Sequence, residues 1–162
     1  MAKKKPIVTN AMRLLSAAKI PFDVVEYEAE EVGENFGVYI SSLTGIPCRQ
    51  SFKTLVAKGC EIMAVCVPVD CEVDLKKLAQ ASGSKKVELV PVKELLALTG
   101  YIRGGVSPIG MKKKYPTYIH ESCLLFEKVA VSAGICGATL LLSPKDLIEV
   151  CNAKTFDIVK EI

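Results

Sequence analysis

The chain has 162 residues, of which 50% are hydrophobic and 24% are charged, and its formal net charge is +3. This composition is typical of soluble globular proteins and excludes the fibrous and intrinsically disordered classes. The length predicts one domain, spanning residues 1–162, with one sizeable core. No apolar run approaches the roughly 18 residues of a membrane span, and no signal-peptide core follows the lysine-rich start, so we expect a cytoplasmic protein with no membrane partner.

Helices and strands alternate irregularly along the chain. Thr9 can cap a helix that runs to about Lys19 and that Pro21 cannot continue. Further helices are predicted at residues 35–44, 74–79, 91–99 and 144–151. Strands are predicted at residues 22–27, 51–58, 62–69, 87–90, 117–120, 129–132 and 139–142. The strand at 62–69 is apolar on both faces, which predicts a central position, and the clustered late strands favour an α/β fold with a mixed sheet curled towards a barrel.

Residues 99–110 (TGYIRGGVSPIG) stand out because four glycines and a proline surround one arginine and one serine. Gly104 and Gly105 allow positive φ and a close approach of another molecule to the main chain, while Pro108 favours an extended Ser107. We interpret the segment as a shaped binding loop. The alternative is a tight structural turn, since glycine and proline are also the commonest turn residues.

Several kinds of chemistry are disfavoured by the motifs that the chain lacks. It contains no dinucleotide-binding or P-loop glycine pattern and no nucleophile elbow around Ser107. Seven scattered cysteines without C-x-x-C spacing indicate reduced thiols, which leaves a thiol-redox function with little support. His120 is the sole histidine and is interpreted as a strand-end residue without a catalytic role, so no metal site is predicted.

Lys53 and the short lysine runs are the candidate anion contacts. Strand alternation places Ser51, Lys53 and Leu55 on one face, where a lysine either reaches solvent or points into a cleft to meet an anion. Lysine runs occur at residues 3–5, 76–77, 85–86 and 112–114. Such runs are usually solvated surface, but the last follows the glycine-rich loop directly, which makes a nucleic-acid substrate a candidate.

Four segments in a fixed order carry a resemblance to a known family. They are residues 51–56 (SFKTLV), 74–79 (DLKKLA), 83–88 (GSKKVE) and the loop 99–110. Together these segments resemble the YbaK/EbsC family of trans-editing aminoacyl-tRNA deacylases. The resemblance extends over nearly the whole chain, from residues 10–15 to residues 131–134. The resemblance implies a mixed, largely antiparallel, barrel-like sheet with flanking helices and a pocket for an aminoacyl group.

The resemblance also implies an activity and roles for particular residues. The expected reaction is ester cleavage of mischarged aminoacyl-tRNA, foremost Cys-tRNA(Pro). The thiol of the esterified cysteine would attack its own carbonyl, and no cofactor would be used. The expected partners are tRNA(Pro) and a prolyl-tRNA synthetase. Lys53 would hold the terminal phosphate or ribose, and the amides of Gly104 and Gly105 would polarise the carbonyl. Alanine at either glycine is then expected to abolish turnover with the fold intact. The pocket positions implied are Tyr27, Phe36, Thr54, Arg103, Ser107, Pro108 and Ser132.

Three positions depart from the family pattern. Cys136 lies where basic residues are usual, Thr139 where an acidic residue is usual, and His120 where an aspartate is usual. The first two leave open a deacylase for another small amino acid, namely alanine, serine or threonine. They also leave open a noncatalytic module that binds tRNA or a synthetase.

Overall fold

The computed structural model describes residues 7–29, 32–33 and 35–160. The lysine run at residues 3–5 lies outside the described residues. Eight strands are present in the described part: β1 (Asp23–Glu26), β2 (Phe52–Lys58), β3 (Ile62–Pro68), β4 (Glu88–Leu89), β5 (Thr117–His120), β6 (Val129–Ser132), β7 (Ala138–Leu142) and β8 (Lys154–Phe156). The α-helices are α1 (Asn10–Ala17), α2 (Phe36–Thr44), α3 (Leu75–Ser82), α4 (Leu95–Thr99) and α5 (Pro144–Cys151), with 3-10 helices at Val92–Glu94 and Glu121–Leu125.

The strands form two sheets. One has three antiparallel strands in the order β1-β7-β6, and the other has five strands in the order β4-β2-β3-β5-β8. Strand β2 is antiparallel to β3 and β4, whereas the β3-β5 and β5-β8 pairs are parallel. The prediction of a mixed α/β fold with largely antiparallel pairing is therefore confirmed, as is the central position of β3.

Within the described residues, one short backbone seam joins the two sheets where one curled sheet was expected. Ser51, just before β2, forms an isolated parallel bridge with Ala130 of β6, and the Ala130 N–H donates to the Gln50 carbonyl over 2.9 Å. In the preceding turn the N–H groups of Gln50 and Ser51 both donate to the Pro47 carbonyl at 3.0 Å. Residues of both β2 and β6 line a cavity next to this bridge.

The helix ends follow the capping residues that the sequence contains. The Thr9 hydroxyl accepts from the Met12 N–H at 3.3 Å, and the Asp74 carboxylate accepts from the first-turn N–H groups of α3. Gly45 and Gly100 end α2 and α4 with φ of 76° and 84°, as the left-handed cap requires. The predicted helix at 91–99 is instead a 3-10 turn followed by α4.

The core is divided rather than single. One cluster of buried side chains joins α1 and α5 to the three-stranded sheet through Leu15, Leu147 and Leu140. A second packs Leu78 of α3 on Val65 and its neighbours in the five-stranded sheet, and a small third cluster surrounds the glycine-rich loop. None of the helices in the described ranges has the length and apolar character that crossing a membrane would need.

Candidate active site

A cavity of about 410 Å³ opens beside the seam between the two sheets. Residues 51–56, which lead into and along β2, form one side, and α2 with the end of β3 forms another. Three further parts of the chain complete the wall: the segment from β4 to the start of α4, the glycine-rich loop, and the β6–β7 hairpin. Helix α2 can approach the sheet closely because Gly37 faces Val69, where a Cβ atom would lie 2.6 Å from Val69 Cγ1.

Most of the predicted site residues meet in this cavity. Those that line it are Tyr27, Phe36, Lys53, Thr54, Arg103, Gly104 and Ser132. Three others, Gly105, Ser107 and Pro108, are buried behind the wall and do not line it. The fold therefore brings seven of the ten positions together, although they come from five separate stretches of the chain.

Lys53 provides a positive charge inside the cavity. It lies on β2, half-buried, and burial lowers the pKa of its ammonium group, while Cys71, Glu72 and Asp70 act in the opposite direction. Among the described residues, no carboxylate lies within ion-pair distance of its Nζ. A partly desolvated ammonium group without a fixed partner is suited to binding an anion or a ribose hydroxyl that enters the cavity.

Gly104 presents backbone to the same cavity. Its φ of 89° lies in the left-handed region, and a Cβ atom there would be 2.8 Å from Val32 Cγ2 and 3.2 Å from Phe36 Cε2. Its N–H has no hydrogen-bond partner among the described residues. An unpaired amide on a cavity wall is the kind of donor that stabilises a developing oxyanion.

Gly105 differs from its neighbour. Its N–H donates to the Ile102 carbonyl over 2.9 Å and so closes a turn within the loop. A Cβ atom at this position would lie 2.8 Å from the carbonyl carbon of Ile135 and 2.9 Å from the nitrogen of Cys136. The amide role of Gly105 remains a prediction that requires the bond to Ile102 to open. The expectation that alanine at Gly105 leaves the fold intact stays a prediction, and its Cβ atom would strain the contact with the backbone of 135–136.

Ser107 and Pro108 form the buried base of the loop. The Ser107 hydroxyl accepts from the Ile109 N–H at 3.3 Å, and the side chain is 0% exposed. The Pro108 carbonyl accepts from the Cys151 thiol at 3.4 Å. Both residues therefore fix the loop from behind, and in this conformation neither can contact a molecule in the cavity.

Hydroxyl groups line the rest of the wall. Burial raises the pKa of the Tyr27 phenol, with a hydrogen bond from the Gly137 backbone acting in the opposite direction. Thr54 Oγ1 lies 3.6 Å from the Cys66 thiol, and Thr139 Oγ1 donates to the Val131 carbonyl at 2.8 Å. Because the Thr139 hydroxyl is bonded within the hairpin, this wall offers a substrate side chain mainly neutral, compact surface.

Neither the imidazole nor any thiol is part of the lining that the described residues form. His120 Nδ1 is 2.8 Å from the Ser122 hydroxyl and its Nε2 is 3.4 Å from Asp157, at the far end of β5. Burial raises the pKa of the Cys66 thiol to about 12 and that of Cys123 to about 11. Within residues 7–29, 32–33 and 35–160, no cysteine lines the cavity and no cluster of metal-ligating side chains occurs.

The sequence pattern did not indicate several lining residues. Ser51 could have been found, since it shares a strand face with Lys53. The apolar wall could not, because it joins side chains from α2, the end of β3 and the β4–α4 segment, which only the tertiary fold brings together. Its members are Ile40, Ile46, Val69, Leu89, Val92 and Leu95.

Comparison with known proteins places this geometry in a family. The family model described as an aminoacyl-tRNA editing domain matches residues 27–150, a range that contains the whole cavity lining. The chain belongs to this family. A relative from Enterococcus faecalis, EbsC, named as a proposed Cys-tRNA(Pro)/Cys-tRNA(Cys) deacylase, is 42% identical over 98% of this chain and 98% of its own length. The resemblance to the YbaK/EbsC family is thereby confirmed.

Two further sequence relatives and one solved structure are similar to this chain. The protein YwhH of Bacillus subtilis is 31% identical over 86% of this chain and 88% of its own length. A crystal structure of a proposed trans-editing enzyme for prolyl tRNA synthetase superposes with a TM-score of 0.80, at 24% identity, over 96% of this chain and 100% of that one. A proline–tRNA ligase of Streptomyces avermitilis is 37% identical over 46% of this chain, which corresponds to 13% of the ligase.

Proposed function

We propose that the protein is a trans-editing enzyme that cleaves the ester of mischarged aminoacyl-tRNA, with Cys-tRNA(Pro) as its foremost substrate. The observation that carries the proposal is the presence of two unpaired donors, the Lys53 ammonium and the Gly104 amide, on one cavity in an editing-domain fold. The relationship to EbsC supports the deacylase chemistry and the cysteinyl substrate.

The cavity suits the end of an aminoacylated strand. Lys53 would hold the terminal phosphate or ribose, and the Gly104 N–H would donate to the ester carbonyl oxygen as negative charge develops on it. Small and hydroxyl-bearing residues of the β6–β7 hairpin, Ala130, Ser132 and Thr139, would surround the amino-acid side chain. A compact, uncharged side chain fits this wall better than a charged one.

The substrate itself supplies the nucleophile in this mechanism. The sulfur of the esterified cysteine attacks its own carbonyl carbon, a carbon–sulfur bond forms, and the carbon–oxygen bond to the ribose breaks. The thiol proton passes to the departing ribose oxygen, and the amino acid leaves as a cyclic thiolactone. The described lining residues include no imidazole or thiol, which is consistent with a nucleophile that the substrate supplies.

The test is a deacylation panel. Purified protein is mixed with Cys-, Ala-, Ser- and Thr-tRNA(Pro) and with correctly charged Pro-tRNA(Pro), and the loss of ester is followed. We expect rapid loss from Cys-tRNA(Pro), with the thiolactone trapped as product, and little loss from Pro-tRNA(Pro). S-methylcysteinyl-tRNA(Pro) should resist cleavage because its sulfur cannot form the ring.

Two lysines on one strand provide the matched control. Lys53→Met should impair the reaction, whereas Lys58→Met should not, because Lys58 is exposed at the end of β2 and does not line the cavity. Equal cleavage of the S-methyl substrate would contradict substrate assistance. Salt-sensitive tRNA binding without any turnover would instead support a noncatalytic binding module.

A further inference from the structure

The segment between residues 93 and 114, here called the basic segment, has a larger net positive charge than the whole chain. It contains five basic residues and one acidic residue, Glu94, a net charge of +4, whereas the whole chain has +3. The remainder of the chain therefore has a net charge of −1. The basic members are Lys93, Arg103, Lys112, Lys113 and Lys114.

The basic residues of this segment differ from many of those elsewhere. All five are exposed, and none forms an ion pair with a described residue. Several basic residues outside the segment are paired with carboxylates: Arg49 with Asp70, Lys77 with Asp157, Lys86 with Glu88, Lys128 with Asp23, and Lys160 with Glu72. The segment thus contains five cations that lack an ion pair among the described residues and a single carboxylate, which gives it a strongly positive local charge.

The basic segment borders the cavity. Val92, Leu95 and Arg103 line it, and α4 leads away from Leu95 to Thr99 over roughly 6 Å at 1.5 Å per residue. The Lys112 N–H donates to the Thr99 carbonyl at 2.9 Å. The lysine run is therefore fixed at the far end of α4.

A second hydrogen bond holds the other end of the run. The Tyr115 hydroxyl donates to the Leu98 carbonyl at 2.7 Å, so the run is tied to the last turn of α4 by the Lys112 backbone on one side and by the Tyr115 side chain on the other. The three side chains remain exposed on this fixed base. Such a surface can meet a charged strand without first ordering its own backbone.

We infer that the basic segment binds the sugar-phosphate backbone of the RNA strand that leads out of the cavity. The inference rests on the proposed function, in which the strand's terminal nucleotide occupies the cavity. Phosphates of the preceding nucleotides then pass Arg103 and reach Lys112, Lys113 and Lys114. These contacts raise affinity for long substrates and leave the chemical step unchanged.

The test compares two substrates that share one ester. Cys-tRNA(Pro) has the strand and its phosphates, whereas 3′-O-cysteinyl adenosine has the ester and no phosphate. In the triple variant Lys112→Gln, Lys113→Gln, Lys114→Gln, we expect KM for Cys-tRNA(Pro) to rise about tenfold or more while cleavage of cysteinyl adenosine stays unchanged. The slope of log affinity against log salt should fall by about 2, because each single-strand phosphate that a lysine neutralises contributes about 0.7 to that slope.

A control triple, Lys76→Gln, Lys145→Gln, Lys154→Gln, removes the same charge from exposed positions on α3, α5 and β8 that do not line the cavity. It should leave KM and the salt slope near the values of the unmodified protein. Equal loss of affinity in both triples, or in neither, would overturn the inference. A loss seen only when a synthetase is present would also overturn it, since the segment would then contact protein.

Binding of uncharged tRNA, measured at several salt concentrations, separates this inference from the proposed function. Unmodified protein that cleaves neither substrate would refute the proposed function. A weaker, less salt-dependent tRNA affinity in the segment triple alone would still support the RNA surface. No difference in that affinity would refute it.

Discussion

Replacing Lys53 with methionine should lower activity and raise stability at the same time. Methionine keeps an unbranched side chain of similar length on β2 but removes the ammonium group from the cavity. Opposite signs for the two effects are characteristic of a residue retained for function. A merely structural lysine would show a loss of stability or no effect.

The expected loss of activity follows from the bond that the ammonium group would make. A hydrogen bond to a charged group contributes about 1.5–3 kcal/mol, which corresponds to about a 10- to 150-fold decrease in kcat/KM. Lys53 has no ion-pair partner among the described residues, so its charge is available to the substrate. The exposed Lys58 on the same strand should give less than about a twofold change in the matched variant.

The expected gain in stability depends on pH. Burial lowers the folded-state pKa of Lys53 below the ordinary value of 10.5, so the unfolded chain binds more protons between these two pKa values. The free energy of unfolding therefore rises with pH across that interval, and below it the full cost of burying the charge is present. Lys53→Met should be more stable than the unmodified protein near about pH 7, and the difference should shrink as the pH approaches 10.5.

The assay pairs deacylation kinetics with denaturant unfolding at several pH values. The reasoning is refuted if Lys53→Met retains activity within about twofold, or if it is less stable than the unmodified protein across the whole pH range. Lys58→Met serves as the reference in both measurements, because it removes an equal charge from an exposed position of the same strand.

Three further predictions concern the loop and the thiols. Gly105→Ala should lower the free energy of unfolding by about 1–3 kcal/mol, because its Cβ atom would collide with the Ile135 backbone. Thermal unfolding should therefore show a clear drop in Tm. In a titration of native protein with a thiol reagent near neutral pH, the exposed Cys60 and Cys136 should react first, and rapid reaction of all seven cysteines would contradict the described burial. Tyr101→Phe removes the 2.6 Å hydrogen bond from the buried phenol to the loop carbonyl of residue 109. The variant should lose about 1 kcal/mol of unfolding free energy and some turnover. Unchanged kinetics and Tm would show that this bond does not hold the loop.

Local structure could be predicted from the sequence wherever one residue decides it. Thr9 and Asp74 mark helix starts because their side chains accept first-turn N–H groups, and α5 begins at Pro144 as expected. The apolar character of β3 indicated its central position. The division into two sheets could not be predicted, because the pairing between Ser51 and β6 is limited to one isolated bridge, a long-range feature that no periodicity records.

The site was predictable to the extent that motif residues face the cavity. Lys53 and Gly104 do, whereas Ser107 and Pro108 belong to the same motif and are buried beneath it. A sequence pattern treats neighbouring positions alike, but a loop that packs on a hairpin must direct some of its residues inward. Which residue turns inward is decided by long-range contacts, such as that of Gly105 with the backbone of 135–136.

The two adjacent glycines of the loop consequently have different roles. Gly104 leaves its N–H unpaired on the cavity wall, while Gly105 lets the loop rest directly on the β6–β7 hairpin. That hairpin also contributes Ser132 and Thr139 to the cavity, so the amide donor and the side-chain wall are fixed to each other through one backbone contact. If the Gly104 N–H donates to the ester carbonyl as proposed, a donor held in this way needs no reorganisation when charge develops, which is the condition under which such donors contribute most to catalysis.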